Sequence, residues 1–591
     1  MTHKFHIPVL GLAFSIDSPI KVAQFGISSV ISIVDDELIE RMRKYYCHLT
    51  GKSYEPINLH QDDARAKRIT AYLDLVYDIV QDQVKELKSQ SDIISSKLQK
   101  YIDLQPSNSP IANLYSKYLE EDSKEIRNFI LGEIRNKIEV GDINVNIMSK
   151  VDKINRDRKG NELDAYYSDA NAALRGFAKS KLTSAVVLSA GMNPRLYSYL
   201  AELPQFLPIK NSNFNKKIIL KVSDFRSALI QAKFLAKKGI WVSEYRIESG
   251  LNCGGHAFAT DGYLLGPILQ EFKEKRHLLQ EELFPTYKAA IETKGFSISQ
   301  IPAIKITAQG GIGTSAEQDF LINYYNLDAT GWGSPFLLVP EATTVDEKTL
   351  KNLVAATEDD FYLSGASPLG VPFNNFRKSS AETLRESRIQ KGRPGAPCTK
   401  KYLVTPSVYE KEPMCSASRV FQHLKIIELD ELGLDEASYA QRLSEITEKT
   451  CLCEGLANAA YIKYDILERK DTDTVAICPG PNTAYFNKIY TLQEMVDHIY
   501  GRRDLLKNVE RPSLFINELR LYISFLEKYI STNRNTMDAS KEKYINKFKN
   551  EMLSGISYYR ELSGKLFEVT TEKYMEFHNQ LKQAENQINT L

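Results

Sequence analysis

The sequence carries no excess of charge of either sign. Its 76 lysines and arginines stand against 75 aspartates and glutamates, so no global field recruits nucleic acid or membrane, and any such contact must come from a local patch. No apolar run reaches the roughly 18 residues that a membrane span needs, and the N-terminus MTHKFHIPVLGLAFS lacks the pattern of a secretory signal. The expectation is a cytoplasmic protein with no membrane partner. Fixed-period repeats, low-complexity segments and paired CxxC motifs are also missing. In a reducing compartment the seven cysteines are expected as free thiols, metal ligands or redox groups rather than disulfides. What remains, 43% hydrophobic and 26% charged residues, is ordinary globular composition, and 591 residues are too many for a single core.

The chain opens with two strand-like runs, IPVLGLA and SSVISIV, apolar and β-branched as parallel strands buried on both faces are. From Asp36 the texture becomes helical and charged. Strand-like runs return as SAVVLSAG, KIILKVSD, GIWVSEYRI, PAIKITAQGG and DATGWGSPFLL, separated by helices such as DFRSALIQAKFLAKKG, capped by Asp224 and stopped by Gly239. Repeated β-α units predict a parallel sheet with helices outside, either doubly wound or a TIM-type (β/α)8 barrel. The segmentation reads as first barrel strands over 1–35, a helical insertion over 36–178, the remainder of the barrel over 179–375, a basic and cysteine-rich module over 376–490 and a helical tail over 491–591. The tail is expected to act as a cap or as an element of homo-oligomer formation.

Glycine marks the carboxyl ends of the strands: Gly11, Gly191, the pair Gly254 and Gly255 before His256, the pair Gly310 and Gly311, and Gly333 before Ser334. In a β/α barrel these positions share one mouth, where ligands and catalytic groups sit. QGGIGT ahead of a helix is suited to cradle a phosphate, because bare amides and the helix N-terminus point at an anion.

In their order and spacing, IPVLGLA, VVLSAGMNP, the long run ending GLNCGGH, IPAIKITAQGGIGT and DATGWGSPFLLVPEA resemble the FMN-dependent barrels of the nitronate monooxygenases and flavin enoyl-ACP reductases. The resemblance spans Ile7 to Val34 and Ser184 to Glu341. It implies FMN near Gly11 and Leu12, with Gly191, Lys221, Gly254 and Gly255 contributing to the cofactor site. It also implies phosphate contacts from Gly310 and Gly311, closed by Gly333 and Ser334, with His256 as proton donor or acceptor. NAD(P)H or another donor would reduce the flavin. Two chemistries follow, reduction of an activated double bond and oxidation of a nitronate-like carbon acid. The sequence departs from the resembling families at Asn252 and Cys253, where they place Glu-Ala or Ser-Gly, and both residues join His256 as catalytic candidates. The alternative for His256 is a turn residue without a task, for Cys253 a packing residue, and for Lys221 a solvated strand-end lysine.

Cys398, Cys415, Cys451, Cys453 and Cys478 fall in one stretch beside glycine, proline and small residues. Four thiolates could hold zinc or a [4Fe–4S] cluster; buried structural thiols are the alternative. Cys451-x-Cys453 is read as two thiols on one face of a strand. The segment 377–401 holds eight basic residues against two acidic ones, a candidate contact for a phosphate-rich partner, and SPLGVPFNNF before it is placed at the barrel mouth. Three functions stay open: an FMN oxidoreductase on a small-molecule or carrier-bound substrate, a flavin enzyme modifying RNA or a carried macromolecule, and a barrel-based binding or scaffold protein.

Overall fold

The computed structural model describes residues 3–89, 93–148, 152–157, 160–209, 213–410, 412–566 and 571–591. Eight parallel strands close a barrel in strict sequence order: β1 (Phe5–Ile7), β2 (Ser28–Ser32), β3 (Ile143–Asn146), β4 (Ala185–Leu188), β5 (Lys217–Val222), β6 (Val242–Glu248), β7 (Lys305–Gln309) and β8 (Ala329–Gly331). The cylinder closes where Phe5 pairs with Thr330 and His6 with Gly331. The expected TIM-type barrel is therefore observed. Along β6 the alternation of side chains decides what lies inside. Tyr245 and Ile247 pack in the apolar core, while Glu244 and Arg246 form a buried ion pair at 2.7 Å and Glu248 lines the mouth cavity.

Several sequence expectations shift. β3 lies within the segment assigned to the helical insertion, whose helices run from Asp36–Thr50 to Lys124–Asn136. INVN is too short, and too rich in asparagine, to show a strand period. The helix Asp169–Lys179, also placed in the insertion, is the barrel helix between β3 and β4. Of IPVLGLA only Ile7 is strand, because Pro8 cannot donate to a ladder and Gly11 turns the chain at φ +115. The helix Phe225–Lys237 starts as expected, with the Asp224 carboxylate accepting the Ser227 amide at 2.6 Å.

After β8 comes an antiparallel hairpin of β9 (Phe361–Ser364) and β10 (Phe373–Phe376). A cysteine-bearing stretch and the tail helices Leu514–Asn533, Ala539–Leu566 and Thr571–Thr590 follow. The tail reading over 567–570 lies outside the described residues. Among the described residues no helix is long and apolar enough to cross a membrane.

Candidate active site

One cavity of about 1070 Å³ opens at the carboxyl ends of the strands. The chain ends its strands there with glycine and small residues, which leaves the mouth hollow rather than filled. Gly11, Leu12, Gly191, Lys221, Asn252, Cys253, Gly254, Gly255, His256, Gly310, Gly311, Gly333 and Ser334 all line it. The residues proposed from sequence for cofactor and catalysis are thus brought together, but they do different jobs there.

The loops after β6 and β7 interlock. A side chain at Gly310 would stand 2.7 Å from the Cys253 sulfur, and one at Gly311 would stand 2.7 Å from the Asn252 amide nitrogen. Both glycines also have left-handed backbone, φ +108 and +79. Among the described residues the amides of Gly310, Gly311, Gly333 and Ser334 donate to no protein acceptor. The helix Ser315–Tyr325 behind them is closed by a capping box between Thr314 and Glu317, and the Glu317 carboxylate also takes the Gly313 amide at 2.8 Å. Arg511 backs this loop. Its guanidinium donates to Glu317 and Asn482, each at 2.8 Å, and to the Gly311 carbonyl.

Gly254 serves a different purpose from the one its pairing with Gly255 suggests. A Cβ there would meet the Cys478 carbonyl at 2.5 Å, and that carbonyl accepts the Gly255 amide at 3.0 Å. The glycine pair admits the chain's own Cys478–Gly480 backbone, which also reaches Ser334 through the Gly480 amide at 2.7 Å. Cys478 therefore lines this mouth, while its other side packs against the small core that holds Cys415 and Cys453.

His256 is held from β9–β10. Its Nε2 is 2.7 Å from the Ser367 hydroxyl, its ring meets Phe373 edge-on, and the flanking backbone bonds to Pro372 and Asn374, each at 2.9 Å. SPLGVPFNNF does line the mouth, through Leu369, Val371, Pro372 and Phe373. On the cavity floor Lys221 and Gln309 both donate to Glu248, at 3.0 and 2.7 Å. Lys221 is thus an ion-paired wall residue rather than a solvated one.

Neither Asn252 nor Cys253 is arranged for chemistry. Asn252 donates to the Leu514 carbonyl at 3.3 Å and accepts from Asn517 at 2.9 Å, so both ends of its amide are committed to the first tail helix. Burial, reinforced by Glu248, pushes the Cys253 thiol well above its usual range, which keeps it a neutral, poor nucleophile. Beneath it, burial raises the Glu518 carboxyl to about 7 despite donors at Ser249, Leu265 and Tyr559. Glu248, Arg511 and Glu518 were not found from sequence, and Ser367 and Gln309 lie in segments placed at the mouth without a role of their own.

The remaining cysteines gather elsewhere. Cys398, Cys415, Cys451 and Cys453 border one small cavity of about 10 Å³ beside Pro368. Cys451 caps, and Cys453 sits within, the first turn of the helix Leu452–Lys463; this is no strand. Among the described residues no three His, Cys, Asp or Glu side chains are placed so that they could hold a metal ion, so the expected zinc or iron–sulfur ligand set at these cysteines is not assembled. In the basic segment Lys378 pairs with Asp360, Arg385 with Glu382 and Lys400 with Asp35.

No protein-family model matches the sequence, and no curated protein is significantly similar to it. Among solved structures, the chain is similar to the enoyl reductase domain of MlnA from the macrolactin biosynthesis cluster of Bacillus amyloliquefaciens. The identity is 16%, over 72% of this chain and 89% of that one, with a TM-score of 0.33. A likeness so distant carries no argument about this chain.

Proposed function

We propose that the chain is an FMN-dependent oxidoreductase that reduces an activated carbon–carbon double bond, with His256 as its proton donor. The observation that carries this reading is the pairing, across one cavity, of a bare-amide cradle after β7 and β8 with a histidine fixed by Ser367. The residues present fit the cofactor. The amides at Gly310, Gly311, Gly333 and Ser334 face no protein acceptor among the described residues, and only glycine fits at 310 and 311. The cavity is at the upper end of the size range of cofactor sites. FMN, when bound, supplies the transfer of hydride from NAD(P)H or another donor.

The protein's share is orientation and the proton. Gly310 and Gly311 would hold the phosphate, Gly333 and Ser334 would close its far side, and Gly11, Leu12 and Gly191 would lie along the ring system. The Ser367 hydroxyl fixes the His256 ring, so its proton is delivered from one direction. Phe258, Phe525, Leu369 and Leu456 give the outer cavity an apolar wall, which suits an acyl or alkenyl chain better than a small nitroalkane. A nucleic-acid substrate receives less support, because Lys378, Arg385 and Lys400 are committed to internal ion pairs.

Purified protein is expected to be yellow, to retain FMN, and to oxidise NADPH or NADH anaerobically when given an enoyl thioester. His256→Ala is expected to keep FMN and lose about 100-fold in turnover. A colourless protein that fails to bind added FMN refutes the cofactor. Unchanged turnover in His256→Ala refutes the proton role.

A further inference from the structure

Building on the reductase reading of the cavity, we propose that Phe525 and Tyr544 determine its specificity by limiting the length of acyl chain it accepts. Both residues line the mouth cavity, yet they come from the C-terminal helices, Phe525 from Leu514–Asn533 and Tyr544 from Ala539–Leu566. Phe258, in the loop after β6, adds a third ring to the same cavity. The volume of about 1070 Å³ exceeds what one drug-sized ligand fills. Room for a second molecule therefore remains beside a cofactor, and these rings bound it.

The two rings belong to one aromatic cluster between these helices. Phe525 stacks on Phe548 at 5.7 Å, and Tyr544 lies 5.8 Å from Phe548 and 5.0 Å from Tyr529. Tyr522, Phe525 and Tyr529 recur at helical spacing along one helix, as Tyr544 and Phe548 do along the next, so each set forms one stripe. Tyr522 and Phe548 are fully buried, whereas Phe525 and Tyr544 are half-buried. Apolar rings held in a cluster but left uncovered inside a concave site are the surface that a hydrophobic ligand covers. The wall is also fixed. Gly262, at φ +93, lies against the next helix, where a Cβ would meet the Phe548 carbonyl at 2.5 Å. Lys547 pairs with Asp261 at 2.7 Å, and the hydroxyls of Thr260 and Tyr522 are 2.7 Å apart. Neighbours of both rings are thus tied to the loop that follows His256, which holds the separation between the proton donor and the wall. A chain longer than that separation must displace close-packed rings, and such packing resists the intrusion.

The test uses the full chain and two series of N-acetylcysteamine thioesters, saturated and α,β-unsaturated, from butyryl to dodecanoyl length. Calorimetric affinity for the saturated series needs neither flavin nor turnover. It should rise about fourfold per methylene up to a limiting length and then fall. Phe525→Ala should move the limit to longer chains, raising affinity for the first chain beyond it by about tenfold or more, and Phe525→Trp should move it to shorter ones. Tyr544→Ala should act as Phe525→Ala does, while Tyr544→Phe keeps the ring and should keep the limit. Should the alanine variants fail to fold, Phe525→Trp and Tyr544→Phe decide. Turnover of the unsaturated series separates this proposal from the reading beneath it. A limit that moves with residue 525, in a protein that reduces none of the thioesters, supports the wall and refutes the reductase. Reduction with a limit that none of these substitutions moves refutes the wall and leaves the reductase standing. Affinity that climbs unchecked through dodecanoyl also overturns the wall, and absence of acyl binding at every length overturns both.

Discussion

Glu518 offers the sharpest physical test of how the tail helix meets the barrel. Its side chain is sealed between the first tail helix and the end of β6, accepting the Ser249 hydroxyl at 2.6 Å and the Leu265 amide at 2.7 Å. A carboxyl held at about 7 in place of its ordinary 4.5 costs the folded chain about 3 kcal/mol once fully ionised. The sign follows from proton uptake. Between pH 4.5 and 7 the folded state holds a proton that the unfolded state has released. Stability from this group is therefore full below about pH 4.5 and is lost as the pH rises through about 7. Glu518→Gln mimics the protonated carboxyl, because the Ser249 hydroxyl can accept from the new amide as readily as it donates to the acid. At pH 5 the variant should differ from wild type only about four-fold. At pH 8 its local opening between residues 249–265 and 514–526 should be suppressed by about two orders of magnitude. Hydrogen–deuterium exchange of those peptides, taken as the ratio of the two proteins at each pH, cancels the intrinsic rate. A ratio that stays constant from pH 5 to 8 refutes the argument that burial governs this carboxyl.

Two further predictions concern the cradle. Gly310→Ala forces φ +108 on an alanine and drives its Cβ to 2.7 Å from the Cys253 sulfur; a cost of about 1–3 kcal/mol should appear as FMN affinity lowered tenfold or more in a flavin-fluorescence titration, and unchanged affinity refutes the cradle assignment. Arg511→Met removes the guanidinium from Glu317, where the two side chains are only 5% and 13% exposed. An unpaired buried carboxylate should lower stability by about 3 kcal/mol, read from the urea midpoint, and a midpoint within error of wild type would show that the pair is not needed.

The barrel was legible because its strands are apolar runs with glycine at their carboxyl ends, a pattern that repeats at five positions. β3 was not, since INVN offers four residues of mixed polarity and its neighbours are helices. The members of the mouth could be listed from sequence, but not their roles. Ser367 stands 111 residues from His256 and Asn517 stands 265 from Asn252; contacts across such distances leave no local period to read. Cys451-x-Cys453 misled for a related reason. Two like residues separated by one fit both strand alternation and a helix N-cap with its first turn, and only the following helical run favours the second.

These placements change the meaning of the Asn252–Cys253 departure. A residue pair unlike that of the resembling families, set just ahead of the Gly254–Gly255–His256 turn, invites a chemical explanation. Every polar atom of the Asn252 side chain is instead engaged by Leu514 and Asn517, and Cys253 is a half-buried thiol against Gly310 and the Gln309 carbonyl. What distinguishes the chain at this point is the presence of a tail helix to be docked. Asn252 bonds to it, Glu518 reaches back from it to Ser249, and Arg511, just ahead of it, grips the Gly311–Glu317 loop. Loops that must hold a cofactor and a histidine to a fraction of an ångström need rigid support. Here the C-terminal part of the chain provides it by bonding to residues adjacent to the proposed chemistry. Mutations in the tail should therefore act on the site through its geometry, without contributing a group to the reaction.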